Sequence, residues 1–147
     1  MRAIQDDYPE HFAHCHGCGP LNPSGKRFRS TLEGDMTVLR YRPEPDETGG
    51  VPGHVYGGLI ASLLDCHGAA SATAFAGLAK PGQTVRYVTG TLTVVYRRPT
   101  PLGELTVRGR LVELAGRKAV IALELEAGGE ITVTGEMIAI SIPDEIG

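Results

Sequence analysis

The sequence predicts an α+β domain in which one antiparallel sheet wraps around a single long helix. The stretch "GGLIASLLDCHGAASATAFA" (57–76) contains no Lys, Arg or Glu and has the length and composition of one buried helix. After it, β-branched and aromatic segments recur at regular spacing, separated by the turn signals "TPLG", "AGR" and "GGE". Because a sheet must bury one face, wrapping it around the apolar helix satisfies both elements.

The remaining elements follow in chain order. Residues 1–26 are rich in Gly, Pro, Asn and Ser and predict an irregular segment that packs on a single domain, 27–147. Within that domain, "RFRSTLEGDMTVLRYR" (27–42) predicts two short strands, and "KPGQ" (80–83) ends the helix. Four later strands are predicted at 87–99, 104–114, 117–127 and 130–142. Their short connections predict hairpins between consecutive strands.

Composition excludes several classes of function. A chain of 147 residues with a net charge of −3 lacks the basic surface of a nucleic-acid binder. Three cysteines without a secretory signal indicate reduced thiols and a cytoplasmic protein. The helix is long enough to span a bilayer, but Asp65 at its centre would cost roughly 3 kcal/mol, so no membrane role is expected.

With a rotation of 100° per residue, the side chains of the helix fall on two faces. One is apolar and is predicted to face the sheet: Ile60, Leu63, Leu64, His67, Ser71 and Ala74. The other consists of small residues around one acid: Ala61, Ser62, Asp65, Gly68, Ala69, Ala72 and Ala76. An exposed helix would carry Lys, Glu and Gln there, so this face predicts close approach by a ligand or a second protein chain.

Asp65 is the candidate catalytic group, because no Lys or Arg lies between Arg42 and Lys80 to pair with it. An acid among apolar neighbours has its ionised form disfavoured, as a general base or nucleophile requires. The alternative is an ordinary, partly exposed helix residue. Upstream, Gly57 and Gly58 leave the first N–H groups of the helix open to a carbonyl oxygen, which predicts an oxyanion hole. The alternative is a glycine pair that only makes the turn.

Three segments resemble one family. "YGGLIASLLDCHG" (56–68) resembles the His-Gly-Gly-x6-Asp signature of hotdog-fold thioesterases of the PaaI-like type. "CHGCGPLNPSG" (15–25) resembles the segment that precedes the fold in many members, and "GTLTVVYRRPTPLGE" (90–104) resembles the strand and turn after the helix. The resemblance covers about residues 15–142.

This resemblance implies hydrolysis of acyl-coenzyme A (acyl-CoA) thioesters at sites between two subunits of a homodimer or dimer of dimers. It assigns Asp65 as the catalytic acid, Gly57 and Gly58 as the holders of the thioester oxygen, and Asn22 as a residue near the site. Tyr56 stands where the signature most often has His, and it offers a phenolic hydroxyl in place of an imidazole. Whether Asp65 activates water or attacks the acyl carbon is left open, as are the acyl chain and the choice between dimer and tetramer.

Further basic residues are candidates for binding coenzyme A. Arg97 and Arg98 end a strand and are suited to clamp phosphates, although a solvated strand end is the equal alternative. Arg117 and Lys118 are weaker candidates. His67 is interpreted as a core histidine.

No cofactor and no metal are expected. Cys15-x2-Cys18 is one metal-binding hook, but Cys66 and His67 are adjacent and point to different sides of the helix, so a tight turn with buried thiols is favoured. A small zinc-dependent module is the least favoured alternative. The other alternative is a hotdog protein that binds acyl-CoA or a lipid-like ligand without hydrolysing it, which Tyr56 favours and Asp65 opposes.

Overall fold

A computed structural model describes residues 2–143 and has one long helix and six strands. Helix α1 spans Gly57–Ala79. The strands are β1 (Ser30–Glu33), β2 (Met36–Tyr41), β3 (Arg86–Tyr96), β4 (Leu105–Ala115), β5 (Lys118–Ala127) and β6 (Glu130–Ile142). Two short 3₁₀ turns, Ile4–Asp7 and Glu10–Phe12, lie in the N-terminal segment. The structure confirms the predicted α+β class, the helix and all six strands.

The strands form one antiparallel sheet in the order β1-β2-β4-β5-β6-β3. The predicted hairpins between β4, β5 and β6 are correct, but the hairpin between β3 and β4 is wrong, because β3 pairs with β6. The chain after β3 is held by β6 and by the loop before α1, through Arg97 N–H to Thr132 O at 2.9 Å and Val55 N–H to Thr100 O at 2.8 Å. This connection crosses the sheet and leaves β3 at an edge.

Helix α1 packs against one face of the sheet, and two glycines determine how closely the helix approaches it. A Cβ on Gly68 would lie 2.7 Å from Met137 Sδ, and one on Gly135 would lie 2.8 Å from Leu64 Cδ2. Larger residues at either glycine would therefore push α1 away from β6.

The predicted small-residue face is only partly open. Gly68, Ala72 and Ala76, which helical periodicity placed beside Asp65, are buried. The prediction is wrong for these three residues, because the sheet reaches this side of α1 as well: Gly68, for example, packs against Met137 of β6. The part of this face that stays accessible consists of Ala61, Ser62, Asp65 and Ala69.

The burial of α1 also bears on whether this helix could span a membrane. By length and composition α1 could cross a bilayer, yet 72% of its most apolar window is buried inside the protein. Burial of this extent is typical of the core helix of a globular domain.

His67 belongs to this core, as predicted. Its Nδ1 lies 2.8 Å from Ser30 Oγ, and its Nε2 lies 3.0 Å from Thr37 Oγ1. Complete burial lowers the pKa of His67 to about 4, so the imidazole is neutral near pH 7. His67 therefore links β1 and β2 to the helix.

The N-terminal segment packs on the sheet and the helix. The Gln5 side-chain amide donates to Ser30 Oγ at 3.2 Å, and Gln5 Oε1 accepts the Ser30 N–H at 2.9 Å. Near the start of β3, the guanidinium of buried Arg86 lies 5.4 Å from the Phe12 ring centroid and 2.9 Å from His11 Nε2. The boundary between 1–26 and 27–147 itself stays a prediction.

Candidate active site

Asp65 lies at the middle of α1, with its carboxylate half-buried and turned towards β3. Its Oδ1 accepts a hydrogen bond from Thr89 Oγ1 at 2.5 Å. The β3–β6 register changes between Thr89 and Thr91, which marks a bulge at Gly90, where a Cβ would lie 2.9 Å from Ile138 O. A bulge redirects the side chains beside it, and here it accompanies the contact of Thr89 with the acid.

Two clefts meet at Asp65. The larger, of about 360 Å³, is mostly apolar and lies between the N-terminal segment, α1 and β3. It is lined by Tyr8, His11, Phe12, His14, Cys15, Cys18, Asp65, Cys66, Ala69, Tyr87, Val88 and Thr89. The smaller, of about 200 Å³, extends from Asp65 to Tyr56 and includes Lys26. The Lys26 ammonium is 2.6 Å from the Glu47 carboxylate and is thus already paired.

The N-terminus of α1 forms the second half of the candidate site. Tyr56 occupies the N-cap position, and no side chain caps the helix there. Gly57 and Gly58 are both exposed, and the Tyr96 hydroxyl donates to Gly57 O at 2.8 Å. The first N–H groups of α1 therefore point to a surface that a carbonyl oxygen can reach.

Within one chain these two halves are far apart. Gly58 and Asp65 are seven residues apart on α1, which corresponds to about 10 Å along the helix axis at 1.5 Å per residue. One carbonyl group cannot contact both the N–H groups at the start of the helix and the carboxylate at its middle. A site that uses both therefore needs a second chain.

The predicted phosphate-binding residues lie near the start of the helix. Arg97 and Arg98 line a cleft of about 430 Å³ together with Gly57 and Tyr96. Arg97 Nε donates to Thr134 Oγ1 at 2.8 Å, and Arg98 pairs with exposed Glu130 at 2.9 Å. Both guanidinium groups are exposed, and their present partners are ones that a phosphate could replace.

The weaker candidates at the β4–β5 turn have partners there. Arg117 donates to the carbonyl of Ser141, and Lys118 lies 3.5 Å from Glu113. Neither residue lines a cleft with Asp65 or Gly57.

Asn22 is engaged within its own loop. Its side-chain amide donates to His14 O at 3.0 Å, and its Oδ1 accepts the Ser24 N–H at 2.9 Å. It lines neither cleft at Asp65, so it supports the turn that follows His14. Contact of Asn22 with a substrate stays a prediction.

The cysteines are arranged differently from the expectation. Cys66 and His67 do diverge, but the Cys66 side chain turns towards Cys15 and Cys18, and the three Sγ atoms lie within 4.8 Å of one another. The expectation of a tight turn with buried thiols is wrong for Cys15, which is exposed, and the fold brings a third thiol from α1 to the Cys15–Cys18 hook. Thiol hydrogen bonds from Cys18 and Cys66, together with backbone N–H groups, lower the pKa of Cys15, while its thiol raises the pKa of Cys66.

Comparison with known proteins assigns a family. The family model for the thioesterase superfamily matches residues 52–134. A thioesterase superfamily protein from Shewanella loihica PV-4 is 37% identical over 92% of this chain and 100% of its own, with a TM-score of 0.70. The chain belongs to the thioesterase superfamily. No curated protein sequence matches it.

More distant structures share the hotdog fold. The E. coli PaaI protein from the phenylacetic acid degradation operon is 16% identical, with a TM-score of 0.67, over 79% of this chain and 80% of its own. The BH2602 protein from Bacillus halodurans, solved with CoA, is 20% identical, with a TM-score of 0.63, over 79% and 74%. The long helix on a six-stranded antiparallel sheet is the architecture that these proteins share with this thioesterase superfamily chain.

Sequence analysis missed two residues of the candidate site, Thr89 and Lys26. Thr89 lies 24 residues after Asp65, and only the glycine that follows it inside a strand pattern signals a bulge. Lys26 lines the smaller cleft, although it precedes residues 43–79, the stretch around Asp65 that contains no Lys or Arg.

Proposed function

We propose that the protein is a cytoplasmic acyl-CoA thioesterase that acts as a homodimer or a dimer of dimers. The observation that carries this proposal is the Asp65 carboxylate, which Thr89 orients at the junction of two clefts in a thioesterase superfamily fold. The CoA present in the BH2602 structure supports the choice of thioester.

The proposed reaction uses the two halves of the site on one carbonyl group. The N–H groups of Gly57 and Gly58 donate hydrogen bonds to the thioester oxygen and stabilise the negative charge that develops on it. Asp65 either takes a proton from water, whose hydroxide adds to the acyl carbon, or attacks that carbon itself to give an anhydride that water then opens. In both routes the carbon–sulfur bond breaks. In the first route the proton that Asp65 took from water passes to the sulfur, and in the second CoA leaves as a thiolate that takes a proton from solvent.

Binding of the CoA portion is assigned to the cleft near the start of α1. Arg97 and Arg98 lie there with exposed guanidinium groups, and Arg forks bind phosphate in a bidentate manner. In this proposal a CoA phosphate replaces Glu130 as the partner of Arg98. The acyl chain occupies the larger, mostly apolar cleft beside Asp65.

A second chain completes the proposed site through the edge of β3. No other strand pairs with the outer side of this 11-residue strand among residues 2–143. Val88, Val95 and Tyr96 on this strand are 39%, 43% and 50% exposed, and a long apolar edge of this kind favours pairing with another strand. A two-fold axis at this edge would bring the open strip of one α1, with Asp65, towards the glycines of the other.

One observation favours a second candidate function. Tyr56 replaces the residue that is most often His in the signature, and this residue is 38% exposed beside the proposed oxyanion hole. A protein with this substitution could bind acyl-CoA without hydrolysing it. Retained Asp65, held by Thr89, supports hydrolysis as the first candidate.

The Asp65→Asn variant tests the proposal. The change is nearly isosteric and removes the base or nucleophile, so thiol release from a panel of acyl-CoA substrates should fall by roughly 10²- to 10⁴-fold. The melting temperature should not fall, because the variant keeps an oxygen that can accept the Thr89 hydroxyl.

A matched control is Asp35→Asn, which makes the same chemical change in the exposed β1–β2 turn and should keep wild-type turnover. If Asp65→Asn retained near wild-type turnover, or if the wild-type protein bound acyl-CoA and released no thiol, the ligand-binding function would replace the enzymatic one.

A further inference from the structure

Three cysteines from two separate parts of the chain meet beside the candidate active site, in what we call the three-cysteine cluster (Cys15, Cys18 and Cys66). Cys15 and Cys18 come from the N-terminal loop, and Cys66 comes from the middle of α1. These are all the cysteines in the chain, and their Sγ atoms lie within 4.8 Å of one another. The proposed thioester hydrolysis has no use for a thiol.

The spacing of the sulfur atoms fits a tetrahedral metal ion. Cys15 Sγ and Cys66 Sγ are 3.8 Å apart. Two ligands on a tetrahedral centre with Zn–S bonds of about 2.3 Å are separated by about 3.8 Å. A disulfide would instead require a separation of about 2.05 Å. The Cys15–Cys66 sulfur pair is therefore at the distance that shared coordination requires, and Cys18 Sγ lies within 4.8 Å of both.

The backbone around the cluster is shaped to admit the sulfurs. A Cβ on Gly17 would lie 2.4 Å from Cys66 Sγ, so only glycine at this position lets the helix thiol approach the loop. The Gly19 N–H donates to Cys15 O at 2.8 Å and closes the turn that brings Cys15 and Cys18 together. A Cβ on Gly19 would overlap the backbone of Cys15.

We propose that Cys15, Cys18 and Cys66 bind one thiophilic metal ion, with Zn²⁺ as the first candidate, and that solvent fills the fourth position. Within residues 2–143 no imidazole nitrogen or carboxylate oxygen joins this group of ligand atoms. Binding replaces the three thiol protons, which pass to the buffer. The ion would fasten the N-terminal loop to α1 one residue from Asp65, and so would fix one wall of the larger cleft.

Metal binding to the full chain tests this proposal without reference to hydrolysis. Reduced, chelator-treated protein is dialysed against Zn²⁺, and bound metal is counted per chain while the melting temperature is measured. We expect one ion per chain and a higher melting temperature. Co²⁺ in place of Zn²⁺ should show sulfur-to-metal charge-transfer absorption.

Variants separate this site from unspecific binding. Cys15→Ser changes an exposed thiol and should fold, yet lose stoichiometric binding and the Co²⁺ absorption. Cys66→Ala should behave in the same way. His16→Ala and His14→Ala change the same loop outside the cluster, and both variants should bind metal as the wild type does.

Three outcomes would overturn the proposal. One is wild-type protein that takes up no Zn²⁺ and melts at the same temperature with and without it. Another is binding that survives in Cys15→Ser, which would show adventitious uptake at other groups. The third is a Cys15–Cys66 disulfide that forms in air as readily with Zn²⁺ present as without it, which would show that the ion does not hold these thiols.

Discussion

The hydroxyl of Thr89 fixes the direction in which Asp65 can act. A carboxylate on a helix turns about two side-chain bonds, and a short hydrogen bond to one oxygen leaves the other free to face a substrate or a water molecule. Hydrogen bonds to charged groups contribute about 1.5–3 kcal/mol, with exposed ones at the low end. In the proposed mechanism Thr89 is therefore a positioning residue for Asp65.

Replacement of Thr89 should lower turnover without unfolding the protein. Thr89→Val keeps the β-branched shape that suits a strand and removes the hydroxyl, so kcat should fall roughly tenfold, which corresponds to about 1.4 kcal/mol. Thr89→Ser restores a hydroxyl and should recover most of the loss. Steady-state thiol release with one acyl-CoA substrate measures both. Equal turnover in Thr89→Val and wild type would show that Asp65 needs no orientation from β3.

At the scale of residues, the sequence identifies the candidate site residues but not the residues that lie next to them in the fold. Asp65, Gly57 and Gly58 are visible because they interrupt the pattern of an apolar helix. Thr89 and Lys26 are ordinary residues for a strand and a loop, and only the tertiary fold gives them significance. The same holds for Cys66, whose rotation on α1 towards the N-terminal loop depends on where that loop packs.

At the scale of elements, the exposed edge of β3 is the feature that most calls for a partner. The other edge strand, β1, has four residues, whereas β3 has 11 and carries exposed Val95 and Tyr96. Antiparallel pairing of two β3 strands would continue the sheet across a dimer, satisfy backbone groups on this edge and cover these side chains.

A charge on this edge should separate the subunits. Val95→Lys places two like charges in the proposed interface, so the protein should elute as a monomer and lose most of its turnover. Val112→Lys makes the same change at a residue of β4 that is 60% exposed and should leave the assembly intact. Light scattering during gel filtration reads the masses. A wild-type protein with the mass of one chain, 15.6 kDa, would contradict the shared site.

The elements themselves follow from local signals, but their order in the sheet does not. Periodicity and turn residues predict α1 and all six strands because these signals are short-range. A connection with Pro and Gly between β3 and β4 suits both a hairpin and a crossover, and the choice depends on the pairing of β3 with β6. The burial of Gly68 and Ala72 likewise depends on how far the protein encloses the helix.

At the scale of the whole molecule, the two halves of the proposed site require two chains. Gly58 and Asp65 are about 10 Å apart along the helix axis, and this distance does not depend on which acyl chain is bound. The sequence resemblance implies a shared site, and the length of α1 between the two groups gives the physical reason. We therefore expect Asp65 of one subunit to act with Gly57 and Gly58 of the other.

Mixed dimers of two inactive variants test this claim most directly. Asp65→Asn removes the acid, and Gly57→Val covers the N–H groups with a side chain whose Cβ has room, since its nearest neighbour would be Tyr96 Oη at 3.4 Å. In a mixed dimer with shared sites, one site carries both defects and the other carries neither. When the two variants are co-expressed or exchange subunits at random, about half of the dimers are mixed, and each of these has one intact site of two. Thiol release per chain should therefore recover to about a quarter of the wild-type value at most.

Differently tagged chains, purified through both tags in sequence, ensure that mixed dimers are the species assayed. Such dimers should show about half of the wild-type turnover per dimer. Mixed dimers that are no more active than either parent variant would mean that each site lies within one chain, and would contradict the account.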